Sequence, residues 1–322
     1  MTSTDRLGRG LGRARFLWLI GLLVLTGCQM VPSQGRDSVR WSVERVEERL
    51  AEVFPDRDPS EVTVVRTDHY IVFSSAHGAR SIGGVLEDVH RRFLQLFPIP
   101  LGSGRLLPVY LFASREEYQS FYTRHAGVSE EVAQLSVGHA WQDYLATFLP
   151  LEQESVLLHE GVHQLMLVRA GFTGGGSWYH EGLAEYFERT YRPAGFDALV
   201  RFELRSGRGH TLEELIRQPQ LLDPTWGHQS SARAIRLYAL AASFIEFLHR
   251  GPYRRHFAEF LKAIGQGPPF DPGFVAREVR SIYGISLGDL DQEWRRYWLD
   301  GEREPVVPET TPWIDGVEIG GE

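Results

Sequence analysis

A short motif near the middle of the chain supplies the residue types used by hydrolytic metal sites. Residues 159–163 read His-Glu-Gly-Val-His, so His159 and His163 stand four positions apart. On a helix this spacing puts both imidazoles on one face, where their nitrogens can bind one zinc ion at about 2.0–2.1 Å. Glu160 adjoins the first imidazole and can reach a water beside the metal rather than the metal itself. The motif therefore predicts a Zn²⁺ site with Glu160 as the general base.

Two inert, hydrogen-bonded histidines on a helix are the alternative to a metal site. Pro150 and Gly171 bracket the segment as signals for the start and end of a helix. Most side chains between them are apolar, which predicts a buried helix: Val156, Leu157, Val162, Leu165, Met166 and Val168. Burying two imidazoles and a carboxylate costs several kcal/mol unless they share partners or a metal. The burial predicted for this helix therefore favours the metal.

A catalytic zinc site usually has three protein ligands and one open position, so a third ligand must come from elsewhere. The extended pattern with a Gly and a third His after the motif is absent, because those positions hold Met166 and Arg169. A Gly-rich loop over 171–177 leads to a second predicted helix, on which Glu181 and Glu185 share one face. Elementary physics does not choose between these two carboxylates.

The two segments together closely resemble the gluzincin metallopeptidases, which include thermolysin and the zinc aminopeptidases. The resemblance lies in His-Glu-x-x-His followed by Glu-Gly-x-Ala-Glu-Tyr, with Glu181 placed 18 residues after His163. It implies that Glu181 binds zinc and that Glu185 orients a zinc-binding imidazole from outside. The segment from Tyr238 resembles an aminopeptidase segment whose phenol hydrogen-bonds the oxyanion, which implies that role for Tyr238. A tyrosine that only fills the core is the alternative there.

Residues 107–300 as a whole resemble, more loosely, the peptidase-MA-like domains of bacterial proteins. The Gly-x-Met-Glu-Asn segment that holds a substrate amino terminus in aminopeptidases is missing, so the aminopeptidase subclass is not indicated. The resemblance implies a zinc metallopeptidase that hydrolyses peptide bonds of a peptide or protein substrate. The alternatives are a scaffold lipoprotein with a vestigial metal site and a zinc amide hydrolase that acts on cell-wall peptides.

The N-terminus has the features of an export signal. Four arginines precede an apolar run over 16–25, which is too short for a helix that needs about 20 residues to span a bilayer. An anchor helix that is retained is the alternative. Residues 25–28 read Leu-Thr-Gly-Cys, which resembles the lipobox of bacterial lipoproteins, and Cys28 is the only cysteine of the chain. The resemblance implies cleavage of residues 1–27 and lipidation of Cys28, which would attach the protein to the cell envelope. In lipoproteins of this type an Asp after the cysteine often signals retention at the inner membrane, so the resemblance with Gln29 at that position favours the periplasmic face of the outer membrane.

The rest of the chain divides into a tether, one domain and a tail. The tether is predicted over 28–40, the metallopeptidase domain over 41–302, and a disordered tail rich in Glu, Pro and Gly over 303–322. The net charge of −8 argues against nucleic acid as a partner, because phosphate binding needs clustered Lys and Arg. No feature of the sequence predicts an oligomeric state.

The predicted fold class is α+β with a thermolysin-like catalytic core, in which a small mixed sheet and helices precede an all-helical second half and the zinc helix lies at the junction. Short β-branched or aromatic runs predict strands over 62–65, 70–73, 107–112 and 144–149. The last of these is expected to pair with an extended peptide. Gly161 and Gly182 are expected to let the two metal-binding helices approach closely. His180 is interpreted as a wall residue of the site, and most of the other histidines are predicted to lie on the surface.

Overall fold

The protein is described by a computed structural model over residues 41–102, 104–141, 143–149, 155–191, 195–206, 210–221 and 229–301. The predicted signal segment, Cys28, the tether, Pro150 and the tail over 303–322 lie outside these residues. Within the described ranges, no helix has the length and apolar character that crossing a membrane requires.

The first half of the described chain alternates helices with short strands. Its elements are α1 (Val43–Val53), β1 (Thr63–Arg66), β2 (Tyr70–Ser74), α2 (Ala79–Leu96), β3 (Leu107–Phe112), α3 (Arg115–Ala126), α4 (Glu130–Leu135), β4 (Gly138–Trp141) and β5 (Tyr144–Phe148). The described second half is helical. Its elements are α5 (Ser155–Gln164), α6 (Ser177–Arg189), α7 (Phe196–Arg205), α8 (Leu212–Ile216), α9 (Gln229–Arg250), α10 (Phe257–Gly265), α11 (Pro272–Tyr283) and α12 (Leu287–Leu299). The predicted α+β class is therefore confirmed.

The five strands form one mixed sheet in the order β1-β2-β3-β5-β4. Strands β2, β3 and β5 run parallel, and the outer strands β1 and β4 pair antiparallel with their neighbours. The parallel strands are fully buried, as expected for a sheet that is covered on both faces. The prediction that the strand after residue 143 receives a peptide is wrong, because β5 lies inside the sheet and β4 forms the edge.

Alternation of side chains along the strands gives the sheet two different apolar faces. One face, which includes Val72 and Val109, packs with α2 and α5 in the larger hydrophobic cluster. The other face, which includes Phe73 and Tyr110, packs with α1, α3 and α4 in the smaller cluster. The sheet is therefore a middle layer, and α5 is fixed against it on the side where the helical half begins.

The helical half is built around α9, whose side chains from Leu237 to Leu248 are all buried. Helix α12 is tied to it by two indole hydrogen bonds. Trp294 Nε1 donates to Ser243 Oγ at 3.2 Å, and Trp298 Nε1 donates to the Ser243 carbonyl at 3.1 Å. These buried bonds satisfy the indoles and fix the register between the two helices.

The two glycines of the metal motifs have packing roles that differ from the prediction. A Cβ on Gly161 would stand 3.1 Å from Val89 Cγ1 of α2, and one on Gly182 would stand 3.1 Å from backbone atoms of Ala241 in α9. Gly161 therefore lets α5 lie close to α2, and Gly182 lets α6 lie close to α9. The expectation that they bring α5 and α6 together is wrong.

Candidate metal centre

Helix α5 carries three ionisable side chains in apolar surroundings. Every residue from Ser155 to Gln164 is buried. The helix continues into a π-helical segment over Leu165–Ala170, and Gly171, with φ of 66°, ends it. The predicted helix stop at Gly171 is confirmed. Since the helix is held between α2 and the sheet, its imidazoles have little freedom to reorient.

The side chains of His159, His163 and Glu181 converge on one point. His159 Nε2 lies 3.2 Å and His163 Nε2 lies 3.5 Å from Glu181 Oε2. One nitrogen of each imidazole and one carboxylate oxygen all lie within 4.8 Å of one another. Helix α5 supplies both imidazoles, and the packing of α6 against it supplies the carboxylate.

This arrangement fits a zinc ion. Ligand atoms about 2.0–2.2 Å from a tetrahedral ion stand about 3.3–3.6 Å apart, which is close to the two separations from Glu181. His163 Nε2 is buried and makes no hydrogen bond within the described part of the chain. A buried nitrogen without a partner costs free energy, and a metal bond would satisfy it. Two imidazoles and one carboxylate are also a ligand set found in catalytic zinc sites with an open fourth position.

The charges of the site favour an ionised Glu181. Burial alone raises the pKa of its carboxyl, but the neighbouring imidazoles of His163 and His159 outweigh that effect and lower the pKa to about 2. Glu181 therefore stays an anion across the physiological range. An anionic oxygen next to two imidazole nitrogens is a donor set that suits zinc.

Glu160 is positioned by the edge strand of the sheet. Its Oε2 accepts a hydrogen bond of 2.8 Å from the backbone N–H of Ala140 in β4. The side chain is buried, and that burial raises the pKa of its carboxyl even though the imidazoles of His163 and His159 act in the opposite direction. A carboxylate with a raised pKa binds a proton more readily, which is what a general base needs. The sequence did not predict β4, so this contact was missed.

Two further carboxylates on α6 lie next to His159. Glu188 Oε2 stands 3.6 Å from His159 Nδ1, and Glu185 contributes an oxygen within 4.8 Å of the same group. Burial raises the pKa of Glu185 to about 7, and the charge of Glu188 adds to this increase. Of these two carboxylates, Glu188 makes the closer contact with His159. Its spacing of seven residues from Glu181, on the same helix face, was a signal for it in the sequence.

Tyr238 and His180 complete the surroundings of the site. Tyr238 lies on α9, is 4% exposed, and its ring centroid stands 6.5 Å from that of His159. Burial raises the pKa of its phenol, and the charges of Glu181 and Glu160 add to the increase. Tyr238 is thus a neutral phenol beside the predicted metal ligands. His180 Nε2 donates a hydrogen bond of 3.0 Å to the Gly174 carbonyl, so it fixes the glycine loop that leads into α6.

Two of the histidines predicted to lie mostly on the surface are buried. They are His90, at 8% exposed, and His139, at 1%. His139 lies 3.0 Å from the Tyr118 hydroxyl and 3.3 Å from that of Tyr144, and its ring stacks on Tyr122. Each imidazole is buried because aromatic or imidazole rings pack against it, a contact that sequence spacing does not reveal.

His139 is expected to make the protein sensitive to acid. Burial lowers its pKa to about 3, and the charge of His125 adds to the decrease. Since the unfolded chain protonates near pH 6.5, the stability that His139 confers is complete above pH 6.5 and is lost as pH falls towards 3. When the pH falls from 7 to 5, the free energy of unfolding should decrease by about 2 kcal/mol less in His139→Phe than in the parent. Urea unfolding at both pH values measures this, with the exposed His77→Gln as control. An equal loss in parent and His139→Phe would contradict it.

Among the comparisons with known proteins, only the one with solved structures found similar chains. No family model matches the chain, and no curated protein matches it. One similar structure is an M1 zinc metallopeptidase variant from Deinococcus radiodurans, with 14% identity, a TM-score of 0.40, and coverage of 77% of this chain. Another is the same variant bound to a Tyr-Ser-Ala substrate, with 15% identity, a TM-score of 0.39, and coverage of 77% of this chain. The chain spans about half the length of these structures, 53% and 52% respectively.

Proposed function

We propose that this protein is a zinc-dependent metallopeptidase with His159, His163 and Glu181 as metal ligands. The observation that carries the proposal is the convergence of their three donor atoms. His159 Nε2 lies 3.2 Å and His163 Nε2 lies 3.5 Å from Glu181 Oε2. Glu160 stands beside this group as an ionisable base. Glu188, and Glu185 next to it, are suited to hold the His159 ring so that Nε2 faces the ion.

The residues around the site have distinct tasks in peptide hydrolysis. Zinc, when bound, supplies a Lewis acid that polarises the substrate carbonyl and makes water more acidic. Glu160 accepts the proton of the attacking water and passes it to the leaving amine. The Ala140 N–H holds one of its oxygens and leaves Oε1 for the water. Tyr238 donates a hydrogen bond to the oxygen that develops negative charge.

The edge strand β4 is suited to hold an extended peptide next to these groups. It is one of the two edge strands of the sheet, and the backbone N–H of its Ala140 already donates to Glu160. An unpaired strand edge offers backbone hydrogen bonds to a substrate of any sequence. A peptide paired with β4 would pass beside the general base, which favours a peptide or protein substrate.

The protein is proposed to act at the bacterial cell envelope, held by lipid on Cys28. The support is the sequence alone, namely the arginines, the short apolar run and the lipobox-like residues 25–28. Several acyl chains give stable anchoring where a single chain would not. Membrane fractionation of the parent and of Cys28→Ser tests this, and an unchanged membrane fraction in the variant would contradict it.

Metal analysis together with a substrate screen tests the enzymatic proposal. Purified full-length protein should hold about one zinc per chain, His159→Ala should hold none, and a peptide library should be cleaved only by the zinc-loaded parent. Bound zinc without turnover on peptides, glycans or esters would favour the scaffold lipoprotein. Cleavage restricted to cell-wall peptides would favour the amide hydrolase. Protein that binds no zinc would overturn the proposal.

A further inference from the structure

The strand that holds Glu160 is short and lies at an edge of the sheet. Strand β4 has four residues and pairs with β5 along one side. The backbone N–H of its Ala140 donates to Glu160 Oε2 at 2.8 Å. A hydrogen bond depends steeply on direction, so a rotation of this peptide group would release the carboxylate. The contacts that fix β4 therefore bear on the general base.

Two contacts set how closely β4 approaches its neighbours. A Cβ on Gly138 would overlap Val156 Cγ1 of α5, so the glycine lets this helix pass against the strand one turn before Glu160. Thr147 Oγ1 of β5 donates to the Val137 carbonyl at 2.7 Å, which ties the residue before β4 to the sheet. The orientation of the Ala140 N–H depends on another residue.

His139 shares a peptide group with Ala140. This group is planar, so the backbone of His139 sets the direction of the Ala140 N–H. His139 is 1% exposed, with Nδ1 at 3.0 Å from the Tyr118 hydroxyl and Nε2 at 3.3 Å from the Tyr144 hydroxyl. Partners on both sides of the ring hold the residue, and with it the peptide group that binds Glu160.

The hydrogen bonds around His139 form a chain with a single direction. Ser136 Oγ donates to the Gly138 carbonyl at 3.0 Å, and a carbonyl can only accept. Because the serine has no second proton, Tyr118, whose hydroxyl lies 2.5 Å away, donates to it. His139 Nδ1–H then donates to the Tyr118 oxygen, and His139 Nε2 accepts from the Tyr144 hydroxyl. This chain needs a neutral imidazole, which is present at pH 7 because burial lowers the pKa of His139 to about 3.

Tyr118 connects this chain to a part of the protein outside the strand. It lies on α3 and is fully buried, with its ring centroid 5.6 Å from that of Phe148 and 6.3 Å from that of Phe112. Helix α3 packs on the sheet in the smaller hydrophobic cluster. Buried hydrogen bonds in a chain also strengthen one another. The chain therefore ties the edge strand to a rigid helix.

We propose that Tyr118, Ser136 and His139 are positioning residues for the general base Glu160. They hold the peptide group between His139 and Ala140, so that its N–H keeps Glu160 Oε2 in place and leaves Oε1 for the water. Their role rests on the proposed metallopeptidase function and extends the site to residues that neither metal motif contains. A displacement of about 1 Å in a catalytic group can cost about 10²-fold in rate, so a looser strand should slow the reaction.

Amide hydrogen exchange in the full-length protein tests this role without turnover. NMR of ¹⁵N-alanine-labelled protein reports on the Ala140 N–H. Tyr118→Phe breaks the chain, so exchange at Ala140 should become about tenfold faster, while exchange at Ala241 on α9 should not change. Tyr122→Phe is the matched control. Both tyrosines are buried on α3, and the Tyr122 ring stacks on His139, but its hydroxyl makes no hydrogen bond with any described residue. The control should leave exchange at Ala140 unchanged.

Kinetics test whether the chain acts through Glu160. On a peptide that the parent cleaves, Tyr118→Phe should lower kcat about tenfold at unchanged KM and zinc content. In the Glu160→Gln background the same change should have no further effect, because no base is left to position. Ser136→Ala removes the next hydroxyl of the chain and should act as Tyr118→Phe does. It keeps the test valid if Tyr118→Phe does not fold.

The exchange and kinetic results each have an outcome that would overturn the inference. Equal exchange rates at Ala140 in Tyr118→Phe and Tyr122→Phe would do so, whatever the activity. A loss of kcat that persists in the Glu160→Gln background would also do so, because it would show a general effect on the structure. If the parent cleaves no peptide and Tyr118→Phe still speeds exchange at Ala140, the metallopeptidase proposal fails, while the chain is still found to hold the strand that binds Glu160.

Discussion

Glu160→Gln is expected to keep the bound zinc and to lose about 10³-fold in kcat on any peptide that the parent cleaves. The amide has nearly the same shape as the carboxylate and can still accept the hydrogen bond from the Ala140 N–H. It has no useful basicity, so it cannot take a proton from water. General base catalysis increases the rate by about 10²–10⁴-fold. Glu160 also returns the proton to the leaving amine, so the substitution removes both proton transfers.

The measurement combines metal content by elemental analysis with single-turnover cleavage of a fluorogenic peptide. His159→Ala is the contrasting variant, because loss of a ligand should remove both zinc and activity. Circular dichroism of each variant shows whether it is folded. If Glu160→Gln cleaves the peptide at the parent rate while holding the same amount of zinc, then Glu160 is not the base.

How much of this site the sequence predicts depends on the range of the contacts involved. His159, Glu160 and His163 are fixed by one helical turn, and their common position follows from local periodicity alone. Glu181 also follows from a motif, but its approach to the imidazoles needs α6 to pack on α5. No local pattern shows that packing, so the choice between Glu181 and Glu185 stayed open on physical grounds.

The parts that sequence reasoning missed all depend on distant partners. Strand β4 reads Gly-His-Ala-Trp, without β-branched residues, and it becomes a strand because it pairs with β5. The glycines at 161 and 182 are needed because α2 and α9 pack closely against them, not because α5 and α6 approach each other there. Glu188 lies 3.6 Å from His159 Nδ1 because α6 packs on α5, and the resemblance, which implies an outer role for Glu185, does not point to this second carboxylate.

Glu181→Gln is expected to weaken zinc binding by far more than the same change at Glu185 or Glu188. Glutamine fills the same space but removes the negative charge and offers a poorer metal ligand. It leaves the two imidazoles as the only strong ligands. Outer partners that orient a ligand typically cost about 10- to 100-fold in metal affinity when they are removed. The loss for Glu181→Gln should exceed that range, while the other two variants should stay within it.

Competition with a chromophoric chelator measures the three zinc affinities under one set of conditions. All three positions lie on α6 and receive the same isosteric change, so differences in folding are small and helix propensity is matched. Melting curves without metal check that assumption.

The order of the three affinities then decides the arrangement. Because Glu188 stands 3.6 Å from His159 Nδ1, Glu188→Gln should weaken zinc more than Glu185→Gln, which lacks so close a contact. An outcome in which Glu185→Gln loses the most zinc affinity would make Glu185 the ligand. It would also mean that the separation of 3.2 Å between Glu181 and His159 is an ion pair of the metal-free protein. If the expected order is found, the carboxylate that stands between the two imidazoles is the one that binds the metal, and its neighbours on the same helix face serve to hold the His159 ring.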